Sequence, residues 1–224
     1  MPPDPYAFGW NQALTLLGLV LTGLIAWGGF RSFDRWKREK LEERRIEIAF
    51  DLLSIAYESK YVFDNIRTPM SFSYEWEDMP KQPGETDDEW RRRGPYYAAR
   101  KRVIAAKPFF DRLFQIQPKC MAMFGTQVED TFMLLHKARR EIEVASDMLA
   151  SKVTDEAGPQ RDRNDEFWEQ CRRNIWEHGD FDKGKDKVKF KLTQFRVDVE
   201  KLCRPIIDRE FDKKPHRKLF GIFQ

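Results

Sequence analysis

The sequence has little of what catalytic and metal sites are built from. Its 224 residues include three cysteines and three histidines, and no histidine lies beside a cysteine at a metal-binding spacing. Since a zinc site needs about four ligands, we expect no metal site. No phosphate-binding glycine loop, no Gly-x-Ser-x-Gly and no His-Glu-x-x-His motif is present. We therefore expect no catalytic residue, no cofactor and no small-molecule substrate, and we predict that the protein is not an enzyme.

The sequence also lacks a framework of paired cysteines and a strong charge of either sign. Cys120, Cys171 and Cys203 are odd in number and widely spaced, which suits free thiols in a reducing compartment. Lys and Arg number 40 against 37 Asp and Glu, so the charge balance gives no reason to expect nucleic-acid binding. The 18 phenylalanines and seven tryptophans are expected to supply much of the core.

Charge is completely missing between Pro5 and Phe30. About 20 consecutive apolar residues cross the hydrocarbon layer of a bilayer as a helix. A cleaved signal peptide would need a basic segment before a short apolar run, whereas residues 1–11 contain no Lys or Arg. A soluble core helix of this kind would need a larger protein around it. We therefore predict a transmembrane helix over residues 12–30.

The charges that follow this segment predict its orientation. Residues 31–45 are rich in Lys and Arg, and basic residues beside a span stay cytoplasmic. We expect residues 1–11 to form a short external tail and residues 31–45 a charged juxtamembrane stalk, which either contacts anionic lipid or is a solvated helix face. The residues expected at the membrane interfaces are Trp10, Trp27, Phe30, Arg31, Trp36, Lys37 and Arg38. The layout resembles that of small bacterial inner-membrane proteins with one amino-terminal span and a helical cytoplasmic domain.

Small residues recur at a spacing of four within the predicted span, at Gly18, Thr22 and Ala26. Such a stripe allows two spans to pack closely. The pattern is not a full Gly-x-x-x-Gly motif, and small residues are common in spans. Packing through this stripe therefore stands beside the simpler interpretation that it has no partner.

The rest of the chain has helical periodicity and no useful run of alternating apolar and polar residues. Residues 31–66 contain neither proline nor glycine, so we expect the helix to continue from the span until Pro69 ends it. A second helix is expected over residues 95–116, kinked or split at Pro108. The clearest pattern follows Thr126 and Glu129, which are spaced as a capping box. Its apolar positions are Val128, Phe132, Leu135, Ala138, Ile142, Ala145 and Leu149.

Two more helices are expected over residues 165–178 and 186–211, separated by turns. The predicted fold class is therefore all-α. One amino-terminal transmembrane helix continues into a cytoplasmic antiparallel bundle of about four helices over residues 46–212, with heptad-like spacing in its last helix. The basic and aromatic tail over 213–224 is expected either to touch lipid headgroups or to pack on the bundle.

A long loop is predicted over residues 68–94, and its second half is acidic. Thr86 and Glu89 are spaced as a capping box for one short turn before Gly94. Within the loop, Tyr74, Trp76 and Asp78 combine aromatic rings with negative charge, which is typical of a surface that binds a basic partner. The alternative is that the rings of Phe72, Tyr74 and Trp76 cover one end of the bundle.

The sequence thus predicts an architecture more sharply than an activity. We expect a non-enzymatic, single-pass membrane protein that acts as an interaction, scaffold or oligomerisation module at the cytoplasmic face. Its expected partners are the lipid bilayer and either another protein or a second copy of itself. The alternative is a membrane-acting effector or sensor subunit that signals through its transmembrane helix. An enzyme whose site is assembled from scattered residues is the third and weakest hypothesis.

Overall fold

The computed structural model describes residues 9–155, 165–177 and 186–212. These residues form helices, two short 3-10 turns and loops, with no β-strand among them, which confirms the all-α prediction. The elements are α1 (Trp10–Ile66), a 3-10 turn (Ser73–Trp76), α2 (Asp87–Ala105), α3 (Lys107–Phe124), a second 3-10 turn (Thr126–Val128), α4 (Glu129–Asp155), α5 (Asp165–Ile175) and α6 (Lys187–Asp212).

The chain divides into two compact units, and the first extends to Glu47. Its described part is the first portion of α1. This helix is the one helix in the described chain that is long and apolar enough to cross a membrane. None of its most apolar segment is buried. Residues 1–8 of the predicted external tail lie outside the described residues, as do the predicted loop beyond Asp155 and the tail over 213–224.

Phenylalanine rings fill the core of the second unit, which begins at Ile48. Phe63, Phe110, Phe132 and Phe195 are fully buried. Phe63 meets Phe110 edge-on with 5.9 Å between ring centroids, and Phe132 meets Phe195 with 6.4 Å between centroids. Each ring contributes about 1.5–3 kcal/mol by leaving water. The expectation from composition therefore holds for phenylalanine, whereas none of the seven tryptophans is buried.

Helix α4 is central to the second unit, because it packs against α2, α3, α5 and α6. Every residue of the apolar stripe predicted for it is buried, from Val128 to Leu149. A smaller cluster beside the main core joins α2, α4 and α5 through Ala99, Ala145, Leu149, Cys171 and Ile175. The clear periodicity of α4 thus corresponds to its position among the other helices.

Arg67 connects three helix ends in the second unit. Its buried guanidinium donates to the carbonyl oxygens of Arg173, Asn174 and Trp176, at 2.6, 3.1 and 3.1 Å. It also pairs with the carboxylate of Asp186 at 2.7 Å, and that carboxylate accepts from the backbone N–H of Lys189 at 2.9 Å. One side chain therefore satisfies the last carbonyls of α5 and anchors the start of α6.

The predicted loop over 68–94 is too long. The capping box forms as expected, since Thr86 accepts from the N–H of Glu89 and the Glu89 carboxylate accepts from the N–H of Thr86. It begins a 19-residue helix, however, and that helix continues through Gly94 and Pro95. The ion pair of Arg93 with Glu85 and the packing of the Trp76 ring on Gly94 are tertiary contacts that offset the cost of these two helix breakers, and local propensity does not contain them.

Prolines elsewhere divide the helices only in part as expected. The predicted split at Pro108 is confirmed, because α2 ends at Ala105 and Pro108 lies in the first turn of α3. The helix that was predicted to end at residue 116 continues to Phe124, with Pro118 inside it. The chain then enters α4 through a 3-10 turn at Thr126, in place of the direct cap that the sequence suggested.

Candidate partner-binding surface

A buried ion pair fixes one end of the loop between α1 and α2, which we call the docked loop (residues 67–86). Arg93 of α2 and Glu85 of the loop meet at 2.7 Å, and their side chains are only 9% and 1% exposed. Arg93 also donates to the carbonyl of Pro80 at 2.7 Å, and Glu85 accepts from the N–H of Gln82 at 2.8 Å. The two buried charges are thus paired with each other and hydrogen-bonded to the backbone, which offsets the cost of their burial.

A second cluster of basic residues on α2 holds the other half of the docked loop. Arg102 contacts both carboxylate oxygens of Glu75 at 2.8 Å, and it donates to the carbonyls of Thr68 and Met70 at 2.8 and 2.7 Å. Lys101 donates to the carboxylate of Asp78 at 2.8 Å. Three basic side chains of α2 therefore hold the loop through its acids and its backbone.

These contacts shift the pKa values of the loop's acids downward. The hydrogen bond from Arg102 lowers the pKa of Glu75, and the one from Arg93 lowers the pKa of Glu85. The hydrogen bond from Lys101 lowers the pKa of Asp78 in the same way. All three acids are therefore held in their charged form when the loop is docked.

Tryptophan rings complete the docking. The ring of Trp76 lies directly on Gly94 of α2, so closely that an added Cβ would come within 2.5 Å of it. The indole N–H of Trp90 donates to the carbonyl of Met79 at 2.9 Å. A side chain at position 94 would displace the Trp76 ring, and glycine is therefore required inside α2 at this point.

The loop pairs Glu75, Asp78 and Glu85 with α2 and leaves aromatic side chains exposed to solvent. Phe72 and Tyr74 stack on each other with 5.6 Å between centroids and 7° between ring planes. They are 50% and 66% exposed, and the neighbouring Met70 is 67% exposed. We call these three residues the aromatic tip. Exposed stacked rings on a well-anchored loop are the arrangement expected of a binding surface.

The three residues predicted to bind a partner thus have different positions. Tyr74 is exposed in the aromatic tip, whereas Trp76 packs on Gly94 and Asp78 pairs with Lys101. Trp76 therefore behaves as the alternative expected, by covering part of the second unit. The sequence placed Phe72 only among the rings that would cover the bundle and assigned no role to Met70, although both lie within two residues of an aromatic neighbour.

The residues predicted at the membrane interfaces all lie on α1. The large rings among them, Trp10, Trp27, Phe30 and Trp36, are exposed, and the guanidinium of Arg31 lies 5.7 Å from the centroid of the Trp27 ring. Lys37 and Arg38 are also exposed, and Arg38 donates to the carbonyl of Asp34 at 3.3 Å. Exposed rings with basic neighbours are typical of helices at a lipid headgroup layer.

The small-residue stripe also lies on α1. The hydroxyl of Thr22 donates to the carbonyl of Gly18 at 2.8 Å, which satisfies this polar group within the helix. Nothing lies within 4 Å of a Cβ built at Gly18, and Ala26 is exposed. The stripe therefore has no occupant within the described chain.

Among the described residues, no three His, Cys, Asp or Glu side chains lie close enough together to hold a metal ion. Burial raises the pKa of Cys120 to about 12 and that of Cys203 to about 11, so both thiols stay protonated and unreactive. The ring of His136 stacks on that of Phe114 with 4.6 Å between ring centroids, and its Nε2 lies 3.1 Å from Oε1 of Gln117. Burial lowers the pKa of His136. His178 and His216 lie outside the described residues.

Comparison of the chain with protein-family models, with curated proteins and with solved structures found no significant match.

Proposed function

We propose that this protein is a single-pass, membrane-anchored helical module that binds a protein partner through the aromatic tip of its docked loop. The carrying observation is the arrangement of the loop, whose charged residues Glu75 and Glu85 are paired with α2 while Phe72 and Tyr74 are exposed. In this proposal the module is not an enzyme, and the second unit is an antiparallel helical bundle that carries the loop.

The anchor in this proposal is the apolar part of α1 over residues 12–30. A helix of this length and composition matches the thickness of a bilayer. Its apolar segment is not buried. The basic residues over 31–45 favour a cytoplasmic position for everything that follows. We therefore propose the inner membrane of a bacterium as the location, with the amino terminus outside.

The binding surface in this proposal is the aromatic tip. Aromatic residues and methionine are enriched at protein interfaces, because large rings bury much apolar area at a low cost in conformational entropy. Anchoring by Arg93 and Arg102 reduces this cost further, since the loop is already ordered before it binds. The tip therefore has the composition and the pre-organisation of an interaction site.

Site-specific photocrosslinking in cells tests this proposal. A photoreactive residue at Met70 is expected to capture a defined partner, and the double variant Phe72→Ser/Tyr74→Ser is expected to abolish the crosslinked band. The matched control is Tyr61→Ser, which removes an equally exposed ring from α1 and leaves the tip intact. Loss of the band in both variants, or in neither, would contradict the assignment of the tip as the binding site.

A second candidate function is a sensor or effector subunit that signals through its transmembrane helix. The observation that favours it is the length of α1, which includes both the apolar segment and the stripe of Gly18, Thr22 and Ala26 without an interruption at Gly28 or Gly29. Overproduction would then dissipate the membrane potential, and Gly18→Leu would prevent this. Cells whose potential is unchanged by overproduction would argue against this candidate.

A further inference from the structure

One acid of the docked loop has no basic partner. The loop contains four acidic residues, and Glu75, Asp78 and Glu85 each pair with a basic residue of α2. The remaining acid, Glu77, is exposed, and no ion pair or hydrogen bond of its side chain is present in this fully described segment. A loop that neutralises its other acids so thoroughly leaves this carboxylate available to an outside cation.

The position of Glu77 relates it to the aromatic tip. Tyr74 lies in the 3-10 turn Ser73–Trp76, and Glu77 is the residue that ends this turn with helical backbone angles. Side chains three residues apart on a 3-10 helix lie on the same side. The free carboxylate therefore lies on the same side of the turn as the exposed ring of Tyr74.

The two stacked rings offer a flat surface. Phe72 and Tyr74 are nearly parallel, so one face of each is occupied by the other, and the exposure of Tyr74 leaves its outer surface accessible to solvent. The face of an aromatic ring attracts cations, and a guanidinium both stacks on such a face and pairs with a carboxylate. Lysine has a compact ammonium group without a plane to stack, so it fits this combination less well.

We propose that the partner inserts an arginine at the aromatic tip, with its guanidinium stacked on Tyr74 and paired with Glu77. Met70 and Phe72 then contact apolar residues on either side of that arginine. This inference rests on the proposed function and adds to it the chemistry of the partner, which is a protein segment with an arginine among apolar residues.

The test uses the full-length protein in cells, with the photoreactive residue at Met70. Tyr74→Phe keeps the ring face and is expected to leave the crosslinking yield unchanged. Tyr74→Leu keeps apolar area without the ring face, and Glu77→Gln removes the charge. Each of these two is expected to lower the yield roughly two- to fivefold, as exposed cation–ring and ion-pair contacts do. The control Asp88→Asn removes another exposed acid, on α2, and is expected to have no effect.

Peptide competition identifies the cation. Three acetylated peptides of the form Leu-X-Leu, with arginine, lysine or citrulline at X, are added before irradiation to membranes that contain the full-length photoreactive protein and its partner, and the crosslinking yield is measured. We expect the arginine peptide to compete best and the neutral citrulline peptide to compete least. Equal competition by all three peptides, or unchanged yields in both Tyr74→Leu and Glu77→Gln, would overturn the inference.

The two proposals fail in different ways. If Phe72→Ser/Tyr74→Ser leaves the crosslink intact, the assignment of the tip is wrong and the arginine inference is wrong with it. If that double variant abolishes the crosslink while Glu77→Gln and Tyr74→Leu do not lower it, the tip binds a partner through apolar contacts alone. In that case only the inference about arginine is overturned.

Discussion

Two buried arginines determine how the second unit holds its loops. Arg67 and Arg93 are 2% and 7% exposed, and the Nε and Nη2 groups of each donate to carbonyl and carboxylate oxygens. Burial of an arginine is costly when it is unpaired, but a carboxylate partner and carbonyl acceptors offset that cost and fix one geometry. Arg67 therefore fixes how α5 and α6 meet the end of α1, and Arg93 fixes one end of the docked loop on α2.

Replacing Arg93 tests this at the residue scale. Arg93→Met leaves the carboxylate of Glu85 buried without its partner, so we expect the free energy of unfolding to fall by about 3–5 kcal/mol. Chemical denaturation of the detergent-solubilised protein measures this change. Lys81→Met is the matched control, because it breaks the exposed pair with Asp87 and is expected to cost at most about 1 kcal/mol. Equal losses for the two variants would show that burial of the Arg93 pair is unimportant.

The residue scale is also where the sequence was least informative. The charges of Arg93, Arg102 and Glu85 were visible, but their pairing depends on how the loop folds back on α2. In α1 the helical spacing of Ile46, Ala49, Phe50, Leu53, Ala56 and Tyr57 predicts one apolar face. Ala49 and Ala56 are buried as this spacing predicts, but Phe50 and Tyr57 are exposed, and Leu52 and Ile55 are buried outside the predicted face. Because α1 has apolar residues on several faces, periodicity identified its buried face only in part.

At the scale of elements, the docked loop and α2 form one structure. The loop contributes Trp76, and α2 contributes the glycine on which its ring lies. The same glycine would otherwise weaken the helix by about 1 kcal/mol relative to alanine. The glycine at position 94 is therefore explained by the contact between the two elements. The sequence pattern of either element alone does not predict this contact.

Gly94→Ala tests this coupling. The new Cβ would collide with the Trp76 ring, so we expect a loss of about 1–3 kcal/mol in stability and faster proteolysis within residues 67–86. In a Trp76→Ala background the same substitution is expected to be neutral or stabilising, because the collision is gone and alanine favours the helix. Thermal unfolding of the four proteins completes this double-mutant cycle. Additive effects would contradict the contact.

Docking of the loop should also depend on pH. The pKa values of Glu75 and Glu85 are lowered in the folded state by Arg102 and Arg93, so their contribution is complete above the ordinary glutamate pKa of about 4.3. This contribution to stability is lost as the pH falls from the ordinary glutamate pKa through the lowered pKa values of Glu75 and Glu85. Hydrogen exchange of residues 67–86, corrected for intrinsic rates, should therefore be slow at neutral pH and accelerate below about pH 4.

The matched variant for this pH dependence is Glu75→Gln/Glu85→Gln. Without the two carboxylates the loop should exchange faster at neutral pH, and the acceleration on acidification should be much smaller. A pH profile identical to that of the unchanged protein would show that other groups control the docking.

At the scale of the whole molecule, the sequence predicted the helical class, the apolar segment and the stripe of α4 correctly. These three predictions are correct because each rests on a pattern that is repeated over many residues, such as the spacing from Val128 to Leu149. The candidate site was predicted only in part, through Tyr74. Its position depends on loop contacts with α2 that are distant in sequence and have no periodic signature.

The central claim is that the second unit and its aromatic tip lie on the cytoplasmic side of a membrane crossed by α1. A cysteine introduced in place of Gln82, which is exposed in the docked loop, reports on which side of the membrane the loop lies. Cys120, Cys171 and Cys203 are buried with raised pKa values and should react slowly with maleimide. We predict that the protein stays in membranes after carbonate extraction, and that Gln82→Cys reacts with an impermeant maleimide only after the cells are permeabilised. Release by carbonate, or labelling in intact cells, would contradict the account.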